Sequence, residues 1–107
     1  MIAPIEDVVV QAFTSRFGGR PRVFAAPGRI NIIGEHTDYS EGLVMPAAID
    51  RRCIVAMARN GSDIIRALAL GRHEEAEIAP DFVRSGSWAD YVSGVRQSLR
   101  DAGIEVP

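Results

Sequence analysis

The sequence contains no lysine; all twelve of its basic residues are arginine. This absence excludes several chemistries for these residues. A P-loop sets a lysine on its phosphates, a protein kinase needs a strand lysine, and a Schiff-base enzyme needs an amine. Cysteine is nearly absent too. Cys53 stands alone, so no intrachain disulfide can form, which fits a reducing compartment. Its apolar neighbours predict a buried core thiol. No apolar run reaches the length of a membrane span. The opening stretch MIAPIEDVVVQAF carries Glu6 and Asp7 ahead of its apolar run, unlike a signal peptide. These absences predict a soluble, cytoplasmic chain with no membrane partner. With a net charge of −2, nucleic acid has no electrostatic claim on it. The short runs at Arg20–Arg22 and Arg51–Arg52 read as solvated surface. There is no G-x-G-x-x-G and no glycine run followed by serines, so no nucleotide or other cofactor site is legible.

What is present is an ordinary globular composition over 107 residues, 47% hydrophobic and 24% charged, the length of one domain. Ile5, Val8, Val9, Ala12, Phe13 and Phe17 recur at helical spacing. Pro4 suits a first turn and Gly18–Gly19 a stop, which predicts a helix over residues 4–17. Residues 23–33 read as a strand broken at Pro27–Gly28, with Arg29, Asn31 and Ile33 on one face. Residues 43–48 form a second extended piece, where Pro46 argues for an edge or a bulge, and 53–59 a short apolar strand. Asn60–Asp63 (NGSD) signals a hairpin turn into a returning strand over 64–70, and 74–78 adds a third strand. Ser87 with Asp90 three residues on predicts a capping box. Trp88, Tyr91, Val92, Val95 and Leu99 share a face of the helix that follows, which Gly103 ends. Trp88 and Tyr91 therefore read as core rather than as a sugar platform, and His73, among polar neighbours, reads as surface. The order of elements predicts an α+β fold, two layers with helices on one face of a mainly antiparallel sheet.

One cluster stands out. Glu35, His36, Thr37 and Asp38 follow a strand-like run and precede Gly42. Carboxylates accept strongly and can each take two hydroxyls, which suits a polyol. Arg29, upstream, adds a fixed positive charge able to stabilise an alkoxide or an arriving phosphoryl group. Three other readings compete. Oxygen and imidazole ligands can hold a metal, although adjacent residues seldom all point at one ion. Thr37 or Asp38 can cap a helix, and the four residues can simply be a solvated turn.

The segment PGRINIIGEHTDYSEGLVMP, Pro27–Pro46, closely resembles the galactokinase signature. Gly28, Arg29, Asn31, Gly34, Glu35, His36, Thr37, Asp38, Tyr39, Gly42, Val44 and Pro46 all match it. The later WADYVSGV, Trp88–Val95, is similar to a second galactokinase pattern, and the stretch between 60 and 86 is only weakly patterned. The resemblance places the fold beside the N-terminal part of the GHMP kinase superfamily. It implies phosphorylation of the anomeric hydroxyl of α-D-galactose by ATP with magnesium. Glu35, His36, Thr37 and Asp38 would hold the sugar and Arg29 would act catalytically, while Asn31 and Tyr39 shape the loop. Thr37 distinguishes the motif from the EHIDY of N-acetylgalactosamine kinases, and kinases of related sugars remain an alternative. The glycine- and serine-rich phosphate loop and the catalytic aspartate of the family have no counterpart in residues 1–107. The chain is therefore expected to be an N-terminal, galactose-binding part of a galactokinase. Alone it is expected to bind no ATP or magnesium, to be inactive, and to self-associate or pair with the complementary part. A non-catalytic galactose-binding or regulatory module is the alternative of another class.

Overall fold

The computed structural model describes residues 4–34 and 41–106. The described residues are α+β, with two helices and four strands in the order α1 (Ile5–Phe17), β1 (Arg22–Ile33), β2 (Met45–Met57), β3 (Ile65–Ala69), β4 (Glu74–Ile78) and α2 (Ala89–Asp101). The strands are antiparallel, but they form two separate two-stranded sheets, β1–β2 and β3–β4. The chain divides accordingly into one unit of residues 1–58 and another of residues 59–107.

In the first unit, α1 begins at Pro4, whose carbonyl accepts from the Asp7 and Val8 amides at 3.0 and 3.2 Å. Glu6 and Asp7 in the first turn and Arg16 in the last complement the helix dipole. Gly18, at φ +77°, ends it by donating to the Thr14 carbonyl at 3.0 Å. The half-buried side is Glu6, Val9, Val10, Ala12, Phe13 and Phe17, with Ile5 and Val8 left exposed. A ribbon two strands wide covers a narrower strip than the predicted apolar stripe. Phe13 and Phe17 tilt against each other at 5.3 Å. Arg52 of β2 donates from Nη2 to Glu6 Oε1 at 2.6 Å and ties the helix to the ribbon.

The ribbon revises the strand reading. Residues 43–48 and 53–59 are not two pieces; Met45–Met57 is one strand. Pro27–Gly28 does not break β1 but bends it. Pro27 pairs with Arg52 and Arg29 with Ala48, so Gly28 alone faces Ile49, Asp50 and Arg51. A Cβ on Gly28 would lie 3.2 Å from Ile49 Cδ1, so glycine suits the bulge. Cys53, predicted to be buried, is exposed on this ribbon.

In the second unit the expected hairpin at Asn60–Asp63 does not form, because β2 and β3 belong to different sheets. The turn chemistry is nevertheless realised locally. Asn60 Oδ1 accepts from the Ser62 amide at 2.9 Å, Asn60 Nδ2 donates to the Ile64 carbonyl at 2.9 Å, and Ser62 Oγ accepts from the Ile64 amide at 3.1 Å. The hairpin is instead β3–β4, paired from Ile65↔Ile78 to Ala69↔Glu74.

Helix α2 corrects two further expectations. It starts at Ala89, and the Ser87 hydroxyl accepts from the Ala89 amide at 3.2 Å. Asp90 does not close a capping box onto Ser87. Its carboxylate reaches back to the Ser85 and Gly86 amides, both at 2.9 Å, and to the Ser85 hydroxyl at 2.6 Å. The buried face is Ala89, Ser93 and Arg96, on a helix that contacts β4, while Tyr91 is 83% exposed and Val95 61%. Trp88 is half-buried and donates to Glu74 Oε2 at 2.9 Å. Gly103, at φ +79°, closes the helix as a Schellman turn, with Gly103 N donating to Arg100 O and Ile104 N to Leu99 O, both at 2.9 Å.

The hydrogen bonds from Ser85, followed by the Ser85 and Gly86 amides, hold the Asp90 carboxyl below its ordinary pKa. A lowered folded-state pKa stabilises the fold above the unfolded value, about 3.9, and that contribution fades as pH falls through the folded value. Asp90→Asn is therefore expected to destabilise the second unit at neutral pH. The difference from wild type should close below about pH 3.9 as Asp90 itself protonates. Urea unfolding of both proteins across pH 2–7 checks this, and a gap that widens in acid contradicts it.

Candidate functional site

Arg29 lies on β1 opposite Ala48, between two irregularities of the ladder. On one side Gly28 faces three residues of β2. On the other, Asn31 pairs with Pro46 and Ile33 with Met45, which leaves Ile32 as an extra residue. Arg29 and Asn31 thus keep the predicted common face across a regular stretch. The second irregularity interrupts the alternation before Ile33, so Ile33 drops out of that set. Both polar residues are exposed. A solvated guanidinium on a bulge-flanked strand is a donor array held by backbone geometry, and bulges commonly re-aim side chains beside functional sites.

Glu35, His36, Thr37 and Asp38, the predicted sugar-holding residues, lie outside the described residues, as does Tyr39. What is described is the pair of stems on either side. Gly34 has φ +105°, and a Cβ there would lie 2.6 Å from the Leu43 carbonyl oxygen and 2.8 Å from Val44 Cα. Glu41 on the other stem is a non-glycine residue at φ +58°. Sequence reasoning read Gly34 as a bend and missed the close approach to Leu43 and Val44. It also missed Glu41. The one available signal was a glycine directly ahead of the polar cluster, with a second pairing-competent segment a few residues later. Among the described residues, no group of three His, Cys, Asp or Glu side chains could hold a metal ion.

Comparison with known proteins finds a likeness over this region. The galactokinase galactose-binding signature matches residues 11–59, from the middle of α1 through the whole ribbon. This chain carries a galactokinase signature. It is 41% identical over 96 residues to the galactokinase of Roseiflexus sp., covering 87% of this chain and 25% of that protein. It is 38% identical over 109 residues to the galactokinase of Streptomyces coelicolor, covering 95% of this chain and 28% of that protein. The galactokinase of Chloroflexus aggregans matches at 37% over 97 residues. The chain spans about a quarter of the length of the curated relatives it matches. The signature accounts for β1, β2 and the polar segment between them. The likeness to the relatives extends further, over most of the chain.

The apposition at Gly34 is backbone against backbone, so no side-chain rotation relieves it. Gly34→Ala is expected to destabilise the first unit by about 2 kcal/mol or more, from the left-handed backbone and the contact together. Gly61→Ala serves as a control, because it shares a positive φ of +71° with open space around the Cβ. Denaturant unfolding should show the larger loss at Gly34, and equal losses would mean that φ alone matters.

Proposed function

We propose that this chain is the galactose-binding part of a galactokinase, an enzyme that transfers the γ-phosphoryl group of ATP to the anomeric hydroxyl of α-D-galactose. The match of the galactose-binding signature to residues 11–59 carries the reading. Glu35, His36 and Asp38 accept and donate hydrogen bonds to the sugar hydroxyls, with Thr37 in the same segment, and so fix the ring. In a polypeptide that also carries the nucleotide half, Arg29 would stabilise the negative charge that develops on the attacking hydroxyl.

The nucleotide and its magnesium have no fitting residues here. Magnesium wants carboxylate oxygens beside phosphates. The described residues offer no acidic or histidine cluster, and the sequence has no phosphate-cradling glycine loop. No step through ATP is therefore assigned to these residues. The 107 residues bind sugar and do not phosphorylate it. Phosphoryl transfer belongs to the longer enzyme, acting in the cytoplasm. A non-catalytic galactose-binding module is the second reading, favoured by the confinement of the signature to sugar recognition.

Calorimetric titration tests the sugar site. Galactose is expected to bind and ATP not to bind. Asp38→Ala should weaken galactose by roughly tenfold or more, since sugar donors lose their acceptor. In a polypeptide that also carries the nucleotide half, Arg29→Ala should lower kcat by on the order of a hundredfold, about 3 kcal/mol of barrier. Unchanged galactose affinity in Asp38→Ala, or unchanged kcat in Arg29→Ala, would remove that residue from its role.

A further inference from the structure

We infer that Ile49 is a positioning residue for Arg29: its side chain fills the space over Gly28, sets the shape of the bulge there, and through the backbone places the guanidinium. The inference rests on the role proposed above for Arg29. The ladder gives its first ground. Pro27 pairs with Arg52 and Arg29 with Ala48, so Ile49, Asp50 and Arg51 all face Gly28 alone. Residues inside such a mismatch have no ladder partner to fix them. Pro27 weakens the ladder further, since proline brings no amide to it. Backbone hydrogen bonding thus underdetermines the bulge, and side-chain packing is left to select its shape.

Burial gives the second ground. Gly28 is half-buried, whereas every other residue of β1 is exposed. A glycine has no side chain to bury, so its cover comes from a neighbour. Ile49, itself half-buried, supplies that cover. A Cβ on Gly28 would lie 3.2 Å from Ile49 Cδ1 and 3.3 Å from Ile49 Cγ1, while the third near atom is the Arg51 carbonyl oxygen at 3.4 Å. Ile49 is the one side chain in that set. Arg29 directly follows Gly28, and its partner Ala48 directly precedes Ile49, so the contact stands one residue from the Arg29–Ala48 pair on both strands. Strand alternation puts Gly28 and Ile49 on the face opposite Arg29 and Ala48. Ile49 therefore stands away from the reacting groups and acts through the backbone. Arg29 is exposed, so its guanidinium takes its place from the strand that carries it. A misplacement of about 1 Å can cost on the order of a hundredfold in rate.

Two measurements test this. Heteronuclear NMR of the 107-residue chain reads the Arg29 amide without appeal to catalysis. Ile49→Ala is expected to shift that amide. Ile54→Ala, which removes the same bulk at a half-buried position in the regular half of β2, should not. In a polypeptide that also carries the nucleotide half, Ile49→Ala should lower kcat by about tenfold at a nearly constant KM for galactose, and Ile54→Ala should leave kcat unchanged. Ile49→Leu, of equal volume, should keep kcat within about twofold of wild type. With Arg29→Ala already in place, Ile49→Ala should cost nothing more, as for residues that act as a unit. Ile49→Val, which lacks only the Cδ1 nearest Gly28, is read in the same way should Ile49→Ala fail to fold. An Arg29 amide that Ile49→Ala leaves in place, or that Ile54→Ala moves as far, overturns the inference and leaves the proposed function standing. So does a kcat that Ile49→Ala leaves unchanged, or a loss that adds in full to that of Arg29→Ala. An unchanged kcat in Arg29→Ala alone overturns the role proposed for Arg29 and this inference with it.

Discussion

The backbone ladder between β1 and β2 is the constraint on which the candidate site depends. It joins Ile33 to Met45 and so brings together the two stems that flank the polar signature residues. At its end Gly34 meets the backbone of Leu43 and Val44 so closely that a Cβ there would not fit. The ladder also fixes Arg29. Its position follows from the bulge at Gly28, which lets β2 spend three residues against one, and from the extra Ile32 on β1. Ladder irregularities here act as placement devices, and the Ile49 side chain leaves little room for a Cβ at the glycine of one of them.

The ladder is strong locally but buries little. Ile78 and Ala89 are the buried apolar residues among those described, and both belong to the second unit. Large apolar side chains such as Ile30, Ile32, Ile33 and Leu43 around the signature are exposed. Burial, which ordinarily supplies most of the favourable free energy of a fold, is thin among the described residues. Arg96 shows the same imbalance from the other direction. It is 7% exposed, and its Nε and Nη1 are enclosed without hydrogen-bond partners. A guanidinium in that state costs free energy and contributes only the packing of its aliphatic stem. Sheets with so little covered surface gain from any additional layer.

Much of this was legible in the sequence, and for identifiable reasons. Both helices have local start and stop chemistry, so Pro4, Gly18 and Gly103 mark ends that the structure keeps within a residue or two. Strand β4 is set by the alternation in Glu74–Ile78. The galactokinase likeness was legible because the signature mixes glycine, charge and aromatic residues at fixed positions. Partner choice was not legible. Asn60–Asp63 carries a hairpin signal and forms its local bonds, yet the strand before it pairs with β1, which lies earlier in the chain, since turn chemistry sets a bend and not a sheet. The face of α2 was misassigned, and that of α1 at Ile5 and Val8 only, for a related reason. Periodicity ranks a helix face by its apolarity, whereas burial follows the neighbour that is present. Thus Ala89, Ser93 and Arg96 are covered while Tyr91 and Val95 are not. Cys53 was read from its apolar neighbours and proved to lie on the open side of its strand.

The proposed function asks one ribbon to carry both a sugar grip and a charge stabiliser, and the placement of Arg29 bears on how it could. A group that grips hydroxyls must sample their directions, and adjacent acceptors on a connecting segment offer several at once. A group that stabilises a developing charge must not move as the charge appears, since reorganisation would use up the gain. The proposed function divides these tasks along the sequence. Arg29 sits inside the paired strand with its backbone fixed by the ladder, and Glu35, His36 and Asp38 follow it in the sequence between β1 and β2. On that proposal, a guanidinium whose backbone is already set by the ladder leaves the binding energy of the sugar free of the cost of fixing it.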